Sequence, residues 1–320
     1  MLFDSLPSVS ALHSLRNINY SAYWLDNSAN AAVRPAPREP LFGVEQADLL
    51  IIGAGFTGLW AAQLAQEQHP DWRIVIVEGG RIANAATGRN GGFVSASLTH
   101  GFANGLARWP REMPQLLSMG RQNLTSIAEF IAKHHLDCDF TLSGGIDVAT
   151  EDYQCGELRA AAQRMGEFGL GIDFLNEEQV RERVQSPTYR AGLFDPDVAL
   201  VDPARLAWGL ASHAVDSGVT IFEDSPVMAL HNQGSSVQAV TPQGVVNAAR
   251  VILATNAFPP LLKRISNFTI PVYDYVLVTE PLSAEQRNSI GWHGREGLSD
   301  SGNQFHYYRT TSDGRILWGG

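Results

Sequence analysis

Ala47–Gly92 constrains this chain more than any other stretch. An apolar run, Leu49–Ile52, leads directly into Gly53-Ala54-Gly55-Phe56-Thr57-Gly58. A helical pattern continues to about Gln68, and a second apolar run, Arg73–Val77, ends on Glu78. Strand, glycine turn, helix, strand and acid is the βαβ context that a dinucleotide fingerprint requires. Gly53 permits the tight turn, Gly55 lets backbone approach a pyrophosphate, and Gly58 lets the helix pack on the strand. The unpaired N–H groups at the helix start, at the positive end of its dipole, then face the phosphates. Glu78, twenty residues past Gly58, is placed to accept hydrogen bonds from an adenosine ribose. An acid there also disfavours the 2′-phosphate of NADP.

The 320 residues suffice for a large core and two domains. A net charge of −10 with no long basic run excludes a nucleic-acid partner, because phosphate binding needs clustered Lys and Arg. Cys138 and Cys155 are too few for a metal cluster and read as free thiols of a reducing cytosol, so no metal is expected. The N-terminal MLFDSLPSVSALHSLR lacks the basic start and unbroken apolar core of a secretory signal. Leu49–Ala65 is apolar enough to suggest a membrane span, but its glycines, Thr57 and Gln63 fit a buried strand and packed helix better. A cytoplasmic protein with no integral membrane segment is expected.

Residues 1–46 form a lead-in whose Arg34–Pro40 is a stiff linker and whose Tyr23 and Trp24 dock on the main body. Helical spacing marks Leu116–His135 and Glu157–Gly169, with strands around Ser143-Gly144-Gly145 between them. Nucleotide-domain features return near 198. Val201-Asp202-Pro203 opens a helix to Asp216, Gly218–Phe222 reads as a strand, and Val237–Thr241 with Val245–Val246 reads as a hairpin. Arg250–Ala257 reads as a buried strand whose polar end forms a second wall of the ligand crevice. Pro271–Glu280, Phe305–Arg309 and Ile316–Gly319 alternate like an antiparallel sheet. The expected fold class is α/β with an α+β second domain: a Rossmann-like nucleotide domain (47–115 and 195–260) interrupted by a substrate or cap domain (116–194 and 261–320).

These features together resemble the D-amino-acid oxidase (DAO) family of FAD-dependent oxidoreductases. The resemblance rests on Tyr23-Trp24, Gly53–Gly58 with Glu78, Ala86–Gly92 (ATGRNGG), Val201-Asp202-Pro203, Val251–Asn256, and Tyr308-Arg309 with Asp313-Gly314-Arg315. It covers residues 10–320 and is nearest the bacterial γ-glutamylputrescine oxidase branch. It implies FAD as cofactor and oxidation of a C–N bond by hydride transfer to the flavin, giving an imine that hydrolyses to a carbonyl. By position it implies that Gly53, Gly55, Phe56, Thr57 and Gly58 meet the pyrophosphate and that Glu78 meets the ribose. Arg89, Asn90, Gly91 and Gly92 would run toward the isoalloxazine ring, with Val227 at the adenine and Ala254, Thr255 and Asn256 on the far side. Gly79, Arg81 and Thr87 are counted among the cofactor contacts.

On the substrate side, Arg89, Tyr275, Tyr308 and Arg309 are the expected catalytic residues, a guanidinium being able to fork onto a carboxylate and a phenol to orient an amine. Sheet aromatics that merely pack, and arginines in ordinary salt bridges, are the competing readings. His100 near the loop, His134-His135 at a helix end and the Glu177–Arg183 run read as structural or solvated. The partners expected are a small amine or amino acid and oxygen or another electron acceptor. Family members continue into a further glycine-rich segment near the flavin, whereas this chain stops at Trp318-Gly319-Gly320, so a truncated product is expected. A non-catalytic FAD-binding remnant and, less favoured, an NAD-dependent dehydrogenase are the alternatives. Which amine is oxidised, and by oxidase or dehydrogenase chemistry, stays open.

Overall fold

The four apolar residues Leu49–Ile52 sit at the end of a ten-residue strand, β1 (Gly43–Ile52), and are all buried. Residues 8, 9, 20–258, 260–302 and 305–320 are described by the structure, a computed structural model. Most of the stretch weighed above as a leader lies outside them. After β1 the chain turns through Gly53 into α1 (Phe56–Gln68) and returns along β2 (Ile74–Val77), a wholly buried strand parallel to β1. Four β-branched residues enclosed on both faces are what a central parallel strand requires.

A six-stranded sheet forms around this unit. Strands introduced here in chain order are β3 (Phe93–Ser95), β4 (Gly145–Ala149), β5 (Asp173–Leu175), β6 (Ala191–Asp195), β7 (Val198–Leu200), β8 (Thr220–Phe222), β9 (Ala229–Asn232), β10 (Val237–Val240) and β11 (Gly244–Leu253). The order is β8-β2-β1-β11-β10-β9. The first four strands are parallel, and β9 and β10 close the edge as antiparallel neighbours. β1 and β11 pair along almost their whole length, from Gly43–Gly244 to Ile52–Leu253.

A seven-stranded sheet takes all the other strands except β3 and β7. With β12 (Val276–Val278), β13 (Gly297–Asp300), β14 (Tyr307–Thr310) and β15 (Ile316–Gly319) its order is β12-β15-β14-β13-β4-β6-β5. Only the β13–β4 pair is parallel. β3 and β7 form a short antiparallel ribbon between the sheets. One part of the expected alternation fails: Pro271–Tyr275 is in no strand, and the β12 ladder begins at Val276 opposite Gly319. An alternating pattern becomes a strand only where a neighbour supplies backbone partners.

Helix α2 (Met113–Lys133) and helix α3 (Asp152–Glu167) carry the helical spacing read from the sequence. Helix α4 (Glu177–Arg183) is closed by an Asn176–Gln179 capping box and carries an Arg181–Glu177 ion pair on its surface. Helix α5 (Pro203–Asp216) starts on Pro203, with Asp202 accepting the Ala204 and Arg205 N–H groups. It packs with α1 over the first sheet, and Trp24 joins their core at 4% exposure. No helix among the described residues is long and apolar enough to cross a membrane.

Candidate functional site

Three strand ends and a glycine turn converge. Gly53 follows β1 at φ +107°, and a Cβ there would lie 2.5 Å from the Ala254 carbonyl oxygen just past β11. A Cβ on Gly58 would lie 1.9 Å from the Gly53 oxygen, so α1 reaches the strand only because Gly58 has none. Gly55 caps α1 without a side chain, so no cap side chain takes up the first-turn N–H groups. Thr87 approaches that cap, its Oγ1 accepting the Phe56 N–H at 3.3 Å, while Thr57 is exposed beside it. Glu78, at the end of β2, curls back on the turn: Oε2 accepts the Ala54 N–H at 2.7 Å and Oε1 the Gly80 N–H at 3.0 Å. Ala254 donates to the Ile52 oxygen at 2.8 Å, and Asn256 next to Thr255 adopts φ +50°. The crevice therefore sits at the carboxyl ends of parallel strands, where β1 is flanked by β2 on one side and β11 on the other. Open α/β sheets bind nucleotides at such a point.

The adenosine-side residues divide. Gly79 lies against Pro226, bringing the turn after β2 beside half-buried Val227. Arg81 instead pairs with buried Glu223 at 3.0 Å and donates to the Pro35 oxygen, so its guanidinium fastens the linker.

The loop Arg89–Gly92 is held as one piece. Asn90 accepts the Gly92 N–H at 2.8 Å through Oδ1 and donates to the Thr87 oxygen at 2.7 Å. Its own carbonyl accepts from the Trp24 indole at 2.8 Å, the link that docks the lead-in. Gly92, at φ +75°, has no room for a Cβ: the Val201 oxygen would lie 2.2 Å away and Arg309 Nη1 2.8 Å. Arg89 is exposed and donates to the Asn84 oxygen of its own loop at 2.7 Å. His100 is exposed too.

The expected substrate-side group comes apart. Successive residues of β14 point to opposite faces, and Tyr308 lies on the face away from the loop. There its hydroxyl meets that of Tyr189 at 2.7 Å and its ring stacks on Trp318. Burial, and then Tyr189, push its pKa well above the usual phenol value. Arg309 is on the near face but is wholly enclosed, donating to the Val201 oxygen at 2.8 Å and the Gly92 oxygen at 3.2 Å. Burial draws its pKa down to about 10, with Asp139 opposing. Arg309 is thus closed against the two carbonyls that flank the β3–β7 ribbon. Tyr275 is exposed on the irregular segment before β12. The residue that does meet the loop is Tyr307, its ring against Gly91 and edge-on to Phe93 at 5.7 Å. Strand parity carried this signal, but Tyr307 and Tyr308 are adjacent aromatics whose facing depends on register. Asn30 was also missed: its Nδ2 donates to Asp202 at 2.6 Å and its Oδ1 accepts from Arg205, tying the lead-in to α5.

The crevice residues suit an anionic dinucleotide: glycines that leave room for phosphates, open N–H groups at a helix start, and a carboxylate at the second strand end.

Residues 48–320 match the profile of the family described as DAO, FAD dependent oxidoreductase. The probable oxidoreductase OrdL of Haemophilus influenzae is 30% identical over 293 residues, covering 88% of this chain and 66% of that protein. The γ-glutamylputrescine oxidoreductase of Escherichia coli is 30% identical over 300 residues, covering 91% and 68%. Among solved structures, glycine oxidase from Geobacillus kaustophilus superposes with TM-score 0.67 at 18% identity, over 86% of this chain and 70% of that one. L-amino acid deaminase from Proteus vulgaris gives 0.66 at 19%, over 88% and 63%. The chain spans about two thirds of the length of the curated relatives it matches.

Proposed function

Since this chain belongs to the DAO family of FAD-dependent oxidoreductases, we propose that it oxidises the C–N bond of a small amine or amino acid. The glycine crevice at the ends of β1, β2 and β11, continuous with the Arg89–Gly92 loop, is the observation that carries this reading. Relatives named for γ-glutamylputrescine and glycine oxidation support the substrate class.

In this reading Gly53, Gly55 and Gly58 would leave room for the pyrophosphate of FAD at the start of α1, and Glu78 would hold the ribose. Thr87 and Asn90 fix the loop, so that Gly91 and Gly92 line the route to the substrate. FAD bound there would supply a two-electron acceptor for hydride from the carbon that bears the amine. The chain contributes orientation and exclusion of water, with the face of the second sheet that carries Tyr307 opposite the loop. Water then hydrolyses the released imine to a carbonyl compound and ammonia or a smaller amine. Oxygen or another acceptor takes the electrons.

The test is the visible spectrum of the purified protein with FAD, before and after anaerobic addition of pooled amines and amino acids. A bound flavin band that bleaches and returns in air is the expected result. A bound flavin that no amine bleaches would overturn the reaction, and failure of FAD to raise the melting temperature would overturn the cofactor site. At a hundredfold excess over Kd, binding should add about 2.7 kcal/mol to stability.

A further inference from the structure

Resting on the reading above, we infer that Trp24 of the lead-in is a positioning residue of the site. Its indole N–H sets the peptide that carries the Gly91 N–H, and its ring backs Arg309. The lead-in is then part of the site's own wall, beyond its role as a strap around the first sheet.

Trp24 is 4% exposed and touches both walls. On the side of the Arg89–Gly92 loop, its Nε1 donates to the Asn90 carbonyl at 2.8 Å. On the side of β14, its ring lies under the Arg309 guanidinium, 5.4 Å from the centroid. Arg309 closes the triangle by donating to the Gly92 carbonyl at 3.2 Å. Loop, indole and guanidinium therefore brace one another. Tyr23 supports the indole from behind, its ring edge-on to Trp24 at 4.9 Å and its hydroxyl donating to Asp313 at 2.6 Å. Asp313 lies in the turn between β14 and β15, so the indole is anchored to the second sheet while it holds the loop of the first.

A trans peptide is planar, and its C=O and N–H point opposite ways. Drawing the Asn90 oxygen onto Trp24 turns the Gly91 N–H, which belongs to the same peptide, to the far side. Gly91 is buried, and among the described residues its N–H meets no acceptor. A buried N–H without a partner costs free energy, which a bound group that accepts from it recovers. The side chains of the loop are committed elsewhere: Asn90 holds Thr87 and Gly92, and Arg89 donates to the Asn84 carbonyl. The Gly91 N–H is thus a donor kept for a ligand, and Trp24 is the group that aims it.

The experiment compares wild type with Trp24→Phe, which keeps a ring and loses the N–H, and with Trp208→Phe, the same deletion elsewhere in the same core. Arg89 is exposed on the loop, so trypsin cleavage after it in the FAD-free chain reports how firmly the next peptide is held. Cleavage after exposed Arg108 serves as the internal reference. Relative cleavage at Arg89 should quicken about fivefold in Trp24→Phe, as loss of one hydrogen bond does, and stay within twofold of wild type in Trp208→Phe. FAD affinity, from quenching of flavin fluorescence, should fall by a similar factor in Trp24→Phe alone, with an altered shape of the visible flavin band. Should Trp24→Phe not fold, the benzothienyl isostere of tryptophan at position 24 keeps the shape and deletes only the N–H. Wild-type cleavage and FAD affinity in a folded variant lacking that N–H overturn the inference, as does a Trp208→Phe that quickens Arg89 cleavage equally. Should FAD bind none of the chains while Arg89 cleavage still depends on Trp24, the cofactor reading falls and the positioning of the loop stands.

Discussion

Gly58 shows how much one missing methyl group can decide. An alanine there would put its Cβ 1.9 Å from the Gly53 carbonyl, so α1 and β1 would have to move apart. Gly58→Ala should cost about 1–3 kcal/mol from overpacking and weaken FAD more than tenfold, measured by denaturant unfolding and by quenching of flavin fluorescence. Tyr308 tests the opposite expectation. Removing its hydroxyl breaks the buried bond to Tyr189, so Tyr308→Phe should lower stability by about 1–2 kcal/mol with turnover unchanged. A large fall in kcat would return Tyr308 to the active face. The glycines were legible in the sequence because their constraint is local: a turn and a helix start within six residues. The facing of Tyr307 against Tyr308 was not, since moving a strand by one residue exchanges its faces. Arg309 escaped for a related reason: the backbone carbonyls that hold it, Gly92 and Val201, are remote in sequence.

Helix ends supply two further tests. Asp202 caps α5 twice and receives Asn30 at 2.6 Å, so Asp202→Ala should destabilise by at least the about 1–2 kcal/mol of a lost cap, read from urea midpoints at constant m-value. At the other end of α5, His213 lies against His134, which caps the C-terminus of α2; the rings are 3.9 Å apart. Desolvation, and then the His213 charge, hold His134 below the ordinary histidine pKa. The unfolded chain then binds the proton more readily than the folded one. This contribution to stability is complete above the unfolded pKa of about 6.5 and declines as pH falls through it. Melting temperatures of wild type should therefore drop from pH 7.5 to 5.5 by more than those of His134→Gln; equal slopes would remove His134 as a cause. Helix starts such as Pro203 were readable because caps and prolines act within one turn. Pro271–Tyr275 was misjudged because its alternation says nothing about whether a partner strand lies alongside.

Two large sheets are joined through the short β3–β7 ribbon. Arg309 of the second sheet bonds the carbonyls of Gly92 and Val201, which flank the β3–β7 ribbon, while Arg295 pairs with Asp139 at 2.7 Å nearby. Removing the buried guanidinium should cost about 3 kcal/mol and uncouple the sheets. Arg309→Met should thus unfold in two steps in guanidinium where wild type unfolds in one, seen as non-coincident fluorescence and far-ultraviolet transitions. A single transition at lower midpoint would mean that the clamp adds stability without coupling. The βαβ unit and its return after residue 198 were visible as patterns, whereas the clamp joins residues that no local pattern relates. The β1–β11 pairing carries a last consequence, one of timing. Its partners, Gly43 and Gly244, are about 200 residues apart, and contacts so distant in sequence slow folding because the loop must close before they form. On the ribosome β1 is made early and waits, one edge bare, until β11 emerges. Everything that builds most of the second sheet's outer half is synthesised inside that wait.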